Sequence, residues 1–245
     1  TMNRYYAFLV HLGISLLVFG VLVAILLLWW YPGIFFETDG GWQGIRIIAV
    51  VDLVLGPLLT LVVYKKGKPS LAFDLTAIGV FQALCLAGGT WVVYNERPLA
   101  MIMVDDVFYS MSAGDFREAG VEVPDFSQFE GRGPKWLTVD LPQDVYELAD
   151  LRKQTMSGGP PLWSLHQRYV PFKVEHLSMD RSITIDELQE RDSETKAIPG
   201  WLEKHGGSLE NYAFFPLGTR YRFVHLGVSR DRKEIVGVLD TPVPY

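Results

Sequence analysis

From Tyr6 to Tyr31 the chain carries no Asp, Glu, Lys or Arg, and His11 is the one titratable side chain of note. An apolar stretch of about 18 residues or more suffices to cross a bilayer as a helix, which satisfies its own backbone hydrogen bonds where water is absent. This part of the chain is therefore read as a membrane span and not as part of a soluble core. Trp29, Trp30 and Tyr31 close it as an interfacial aromatic belt, and Pro32 stops it. It is too long for a signal-peptide core and no A-x-A-like cleavage site follows, so the reading is a retained span.

Two further spans follow, at 45–64 and 71–94, after a first at about 6–31. The linker between the first two, GIFFETDGGWQG, is Gly-rich and acidic. Arg4, Lys65, Lys66 and Lys68 fall on one side of the membrane, and Glu37, Asp39 and Glu96 on the other. The positive-inside rule then places the N-terminus and the 65–70 loop in the cytoplasm, and everything after Tyr94 outside it; Arg46 and Arg97 weaken this count without reversing it. Residues 1–96 hold five basic and five acidic side chains, so the net charge of −6 belongs to the remainder. An acidic soluble domain speaks against nucleic-acid binding. With Cys85 as the single cysteine, no intrachain disulfide can form, and cysteine usage does not report the redox compartment.

From Arg97 onward turn residues recur about every ten positions. AMIMV and VFYSM read as a hairpin turning at Asp105-Asp106, and Ser112 as the cap of a short helix, AGDFREAG. WLTVDL reads as a strand, and QDVYELADLRKQTM as a helix opened by Pro142 and closed by the glycines and prolines at 158–161. Residues 183–205 are helix-permissive, interrupted by Pro199-Gly200; YAFFPL, TRYRFVHLGVS and KEIVGVLD return to strand. The predicted architecture is a membrane protein with a three-helix transmembrane bundle over 1–96, followed by a C-terminal α+β extracytoplasmic domain with an antiparallel sheet over 97–245.

Four segments carry a family likeness. VDLVLGPLLTLVVY, KKGKPSLAFDLTAIGVFQA, the WYPG that closes the first span and the NERP that closes the third together resemble the type IV pilin accessory proteins, the TfpX/TfpZ family. The likeness covers residues 4–110 well and the final KEIVGVLD more loosely; 112–210 carries no matching motif. The resemblance implies a protein of the bacterial inner membrane with a periplasmic C-terminal domain. It implies a non-enzymatic accessory role toward a cognate major pilin or the inner-membrane assembly proteins, modulating pilus extension and retraction.

Ionisable residues within a span are costly and are functional or pairing candidates by default. At a rise of about 1.5 Å per residue from the cytoplasmic ends, His11 lies roughly 8 Å deep and Asp74 roughly 5 Å. Asp52, Gln82 and Ser15 lie at roughly 18, 16 and 14 Å, one from each helix. The expectation is a mid-membrane layer of Ser15, Asp52 and Gln82 sharing hydrogen bonds, with His11 and Asp74, joined by Lys66 or Lys68, nearer the cytoplasm. Gly56 and Pro57 support a close approach or a kink, Pro57 freeing the carbonyl at Leu53. Two uses remain open for these residues: holding the bundle together, or recognising polar groups in a pilin helix.

Catalytic readings find little support. Asp52 and Asp74 are separated by roughly 13 Å along the membrane normal, too far to share a proton as an aspartyl protease requires. His166, His176, His205 and His225 lack zinc spacing, SGGPP at 157–161 lacks the Lys-Ser/Thr of a phosphate loop, and there is no G-x-S-x-G elbow or calcium loop. No metal, cofactor or catalytic residue is assigned, and the expectation is a protein that is not an enzyme. Three aromatic groups are candidate contact sites, each also readable as core: Phe126, Phe129 and Trp136; Trp163, Tyr169 and Phe172; and an edge strand with Tyr212, Phe214 and Phe215. The expected partners are pilin or pilus machinery and membrane lipid. The alternative is a membrane-tethered periplasmic sensor or small-molecule binding protein. The sequence assigns no oligomeric state.

Overall fold

The structure is a computed structural model and describes residues 3–241. It divides into two units, residues 1–97 and 98–245.

Among the described residues the first unit holds three helices long and apolar enough to cross a membrane, Arg4–Trp30, Gly41–Val63 and Leu71–Asn95. At about 1.5 Å per residue each exceeds the roughly 30 Å of a bilayer core, so the chain is that of a multi-pass membrane protein. The first span is helix α1, Arg4–Ile25, capped by the Asn3 side chain, which accepts from the Tyr6 N–H at 2.8 Å. A wide π-helical turn, Leu26–Trp30, ends it. Tyr31 departs from the expected aromatic belt: it is buried, and its hydroxyl donates to the Val93 carbonyl at 2.9 Å. A phenol that has found a carbonyl on another span has no need of the headgroup region.

The acidic linker is more ordered than its composition predicts. Ile34–Thr38 forms a short helix, α2, and the second span starts early, at Gly41. That span is built from α3 (Gly41–Ala49), a second π-helical turn (Val50–Leu55) and α4 (Gly56–Val63). The third is a continuous helix, α5, Leu71–Asn95.

The second unit carries a seven-stranded sheet: β1 (Pro98–Val104), β2 (Val107–Ser112), β3 (Lys135–Val139), β4 (Tyr169–Pro171), β5 (Tyr212–Gly218), β6 (Phe223–Ser229) and β7 (Glu234–Leu239), in the order β4-β3-β1-β2-β5-β6-β7. The domain is α+β, as read from the sequence, but its sheet is mixed where an antiparallel one was expected: β1 runs parallel to β3, and β2 parallel to β5. The connections that make parallel pairing possible are long, 105–134 from β1 to β3 and 113–211 from β2 to β5, and the sequence shows their helices more clearly than their return direction. The β1–β2 hairpin turns at Asp105 and Asp106 with both φ angles positive (51° and 63°), the two-residue turn that matches strand twist.

Among the described residues four α-helices, with short 3-10 turns between elements, complete this unit: α6 (Ala113–Glu118), α7 (Val145–Met156), α8 (Ile185–Thr195) and α9 (Ala197–His205). Ser112 and Asp115 form a reciprocal capping box on α6. Two expected boundaries move. α7 opens at Asp144, whose carboxylate accepts from the N–H groups of Tyr146 and Glu147, and not at Pro142. The break in 183–205 falls at Lys196 (φ 50°), where Asp192 accepts from the N–H groups of Ala197 and Ile198. Pro199 sits in the first turn of α9, where a missing N–H costs nothing.

Two apolar clusters flank the sheet. Ala100, Ile102, Val104, Leu137 and Val139 pack with Phe116 of α6, and Phe126, Phe129, Trp163 and Tyr169 close over them. Tyr212, Phe214 and Leu239 pack with Leu188 of α8 and Ile198 and Trp201 of α9. Trp136 and Phe172 meet Phe108 at ring distances of 6.3 and 5.3 Å. The candidate aromatic contact groups are thus largely taken up in packing, and β5, expected at an edge, lies inside the sheet.

Candidate functional site in the helix bundle

Spacing along two helices assembles the site. His11 and Ser15 are four residues apart on α1, and Asp52, Gly56 and Thr60 repeat at four in the second span, so each set shares a helix face. Gln82 of α5 reaches between them. Its amide nitrogen donates to Asp52 Oδ1 at 2.5 Å and lies 3.3 Å from Ser15 Oγ; its amide oxygen is 2.8 Å from His11 Nε2. Ser15 Oγ donates to Asp52 Oδ1 at 3.1 Å, and His11 Nδ1 is 2.6 Å from Thr60 Oγ1.

These partners dictate the proton positions. An amide oxygen only accepts, so His11 Nε2 donates to Gln82; in the neutral imidazole Nδ1 then accepts from the Thr60 hydroxyl. With the ring neutral the chain is directed from Thr60 to His11, His11 to Gln82 and Gln82 to Asp52, with Ser15 also donating to Asp52. Every donor on the chain ends, directly or by relay, on one carboxyl group.

The backbone around Asp52 is shaped for this contact. In the wide turn the Gly56 N–H bonds to the Val51 carbonyl, five residues back. In that register the next donor, for the Asp52 carbonyl, belongs to residue 57, and Pro57 has none. Gln82 Nε2 lies 3.4 Å from that carbonyl and takes the missing donor's place. By that register Pro57 leaves the Asp52 carbonyl, one residue before the Leu53 carbonyl of an ordinary α-helical register, in need of a donor. Gly56 is needed for an equally specific reason, because a Cβ there would overlap the Gln82 side-chain amide. The close approach that Gly56 permits is that of one amide side chain.

The structure brings together Ser15, Asp52 and Gln82, and joins His11 to them through Gln82. It does not join His11 to Asp74. Asp74, at the start of α5, pairs with Lys68 at 2.6 Å and accepts from Ser70 Oγ at 3.1 Å, so the two aspartates belong to separate networks. Thr60 escaped the sequence reading, although its depth on the same ruler, roughly 6 Å, is nearly that of His11. Asp52 and Ser15 are each 2% exposed and Thr60 3%. One buried atom, Asp52 Oδ2, finds no hydrogen-bond partner among the described residues, at a cost of about 1–3 kcal/mol. Among the described residues no group of three or more His, Cys, Asp or Glu could hold a metal ion.

The second unit has its own polar cavity, about 290 Å³, at the carboxyl ends of the parallel strands β1 and β3. Asp105, Asp106, Asp140, His176 and Arg181 line it. Buried Asp106 accepts from the Ser178 N–H at 2.8 Å, and Asp105 binds Arg152 through both oxygens at 2.9 and 3.0 Å.

Comparison with known proteins gives three distant relatives. The chain is 28% identical over 220 residues to the fimbrial assembly protein, serogroup I, of Dichelobacter nodosus, covering 85% of this chain and 83% of that one. Its likeness to the serogroup E1 protein is 27% over 220 residues, with the same shares. A protein of serogroups C1 and C2 is 27% identical over 108 residues, 43% of this chain and 82% of its own. No protein-family model matches the chain, and no solved structure matches it.

Proposed function

We propose that this is a bacterial inner-membrane accessory protein of fimbria or type IV pilus assembly, of the TfpX/TfpZ kind. The observation that carries this reading is the similarity to two fimbrial assembly proteins across 85% of the chain. The three spans support a multi-pass placement. In the proposed orientation Arg4 and the Lys65–Lys66–Lys68 loop are cytoplasmic and residues 98–245 periplasmic. The protein acts by binding pilin or the assembly machinery and modulates pilus dynamics without catalysing a reaction.

In this reading the polar centre pairs helices and does not meet the partner directly. Asp52, Ser15 and Thr60 are closed off inside the bundle, so a pilin helix would have to part the spans to reach them. Contact is expected instead from lipid-exposed positions such as Leu17 and Val62, or from the C-terminal unit at Tyr146 and Met156. Photo-crosslinkers at these four sites, in cells that make pili, test the proposal. Capture of pilin or an assembly protein from at least one site, with no capture from Ser15, is the expected result. Silence at all four, or normal piliation after gene deletion, overturns it.

The cavity beside Asp105 and Asp106 favours a second reading, a membrane-tethered sensor or small-molecule binding protein. A strain lacking the gene that keeps its pili but loses a response to an external solute would select it.

A further inference from the structure

Between α1 and α5 runs an apolar groove of about 510 Å³. Val18, Leu22 and Trp30 form one wall; the other includes Ala83, Ala87, Trp91 and Tyr94, with Thr90 the one hydroxyl in the lining besides that of Tyr94. No residue of the second span lines it. A concave apolar surface at membrane depth is filled either by a lipid chain or by another helix.

Its length decides between them. Val18 to Trp30 covers roughly 18 Å and Ala83 to Tyr94 roughly 16 Å along their helices. Half of a bilayer core is about 15 Å, the depth of one leaflet, and a partner helix lying along the bundle would continue past both ends of such a groove. The groove therefore matches one acyl chain from one leaflet.

Its mouth supplies a guanidinium. Tyr94 lines the groove, and the Arg97 guanidinium carbon lies 3.7 Å from the Tyr94 ring centroid. One Arg97 N–H is spent on the Tyr94 carbonyl at 2.6 Å. A guanidinium has five donors in a planar fork, a shape that suits phosphate. Trp30 meets Tyr94 edge-on at 5.2 Å, placing amphipathic rings at the headgroup level. Glu96 adjoins Arg97, so the pair carries no net charge, and what the mouth offers a phosphodiester is the remaining guanidinium N–H donors.

The geometry points to a bound phospholipid, with one acyl chain in the α1–α5 groove and its phosphodiester on Arg97. This site is independent of the pilus reading. Native mass spectrometry of the full chain, released from micelles doped with phosphatidylglycerol or with diacylglycerol, which lacks the phosphate, tests it. The wild type is expected to retain phosphatidylglycerol at least 5-fold more than diacylglycerol. Arg97→Ala is expected to erase that preference, and Ala87→Trp, which fills the groove, to lower retention of both lipids at least 5-fold. Leu9→Trp, at an exposed position near the start of α1, should change neither. Ala87→Leu repeats the groove test with a smaller change should Ala87→Trp fail to fold. Equal retention of the two lipids by the wild type, or full retention by both groove variants, overturns the proposal. So does loss of a second copy or of a co-purifying helix from the groove variants with lipid unchanged, which would assign the groove to protein.

Discussion

The two units distribute their apolar side chains differently. In the membrane unit Ser15, Asp52 and Thr60 are buried beside Leu26 and Ile48, while Leu17 and Val62 are 71% and 78% exposed. In the C-terminal unit Phe108, Phe215 and Leu226 are wholly buried. The difference follows from the solvent. Water drives apolar side chains inward, but lipid tails are as apolar as leucine and give helices no such reason to associate. The membrane unit must therefore use close packing at small residues and hydrogen bonds between helices, and the C-terminal unit relies on area removed from water.

The largest expected effect tests that reliance. Phe215→Ala should destabilise the C-terminal unit by about 3–5 kcal/mol, through lost transfer energy and the cavity left behind. Denaturant unfolding followed by hydrogen exchange in β5 and β6 measures it. A loss below about 1 kcal/mol would mean that the buried aromatics of this sheet do not govern its stability.

Next comes a buried polar group on the water-driven side. His225 is fully buried; Nδ1 lies 2.7 Å from Thr241 Oγ1, and Nε2 has no partner among the described residues. Burial pushes its pKa down to about 4, against the Thr241 backbone hydrogen bond, which raises it, and with help from the charge of Arg191. The unfolded chain thus binds the proton first. Stability from this group is complete above pH about 6.5 and is lost as pH falls toward 4, by about 3 kcal/mol in all. His225→Leu should flatten the slope of unfolding free energy against pH in that window. An unchanged slope would remove His225 as its source.

The membrane unit should respond less to losing its central residue. Gln82→Leu deletes the donor to Asp52 and the acceptor for His11, yet interhelical hydrogen bonds contribute only about 0.6–2 kcal/mol. Graded unfolding in mixed micelles is expected to show a loss of about 1–2 kcal/mol. A loss above about 4 kcal/mol would mean that the polar centre, and not packing, holds the spans together, and the contrast between the units would have to be redrawn.

What the sequence made legible follows the same division. The spans stand out because hydropathy is a one-dimensional signal, and the Ser15–Asp52–Gln82 layer could be placed from helix rise alone. Thr60 was missed because a hydroxyl in a span is ordinary; only its four-residue spacing from Gly56 and Asp52 marks it. The pairing of His11 with Gln82 instead of Asp74 depends on helix rotation, which depth does not encode. In the C-terminal unit the β1–β2 turn and the Ser112 cap are local and were readable. The parallel pairings of β1 with β3 and β2 with β5 are set by distant packing and were not.

The smallest effect concerns α7, which follows neither rule. It buries no residue, and Tyr146 and Met156 are 83% and 88% exposed. Two ion pairs tie it down: Arg152 to Asp105 at 2.9 Å, and Glu147 to Arg168 at 2.6 Å. Exposed pairs of this kind contribute about 0–1 kcal/mol and are screened by salt. Arg152→Ala should therefore leave the global unfolding energy within about 1 kcal/mol, while amide exchange in α7 quickens at low salt and converges with wild type at high salt. If instead the whole C-terminal unit lost several kcal/mol, α7 would belong to the cooperative core despite its exposure. An exchange rate that did not respond at either salt concentration would show that the helix stands on its Asp144 cap and internal hydrogen bonds alone.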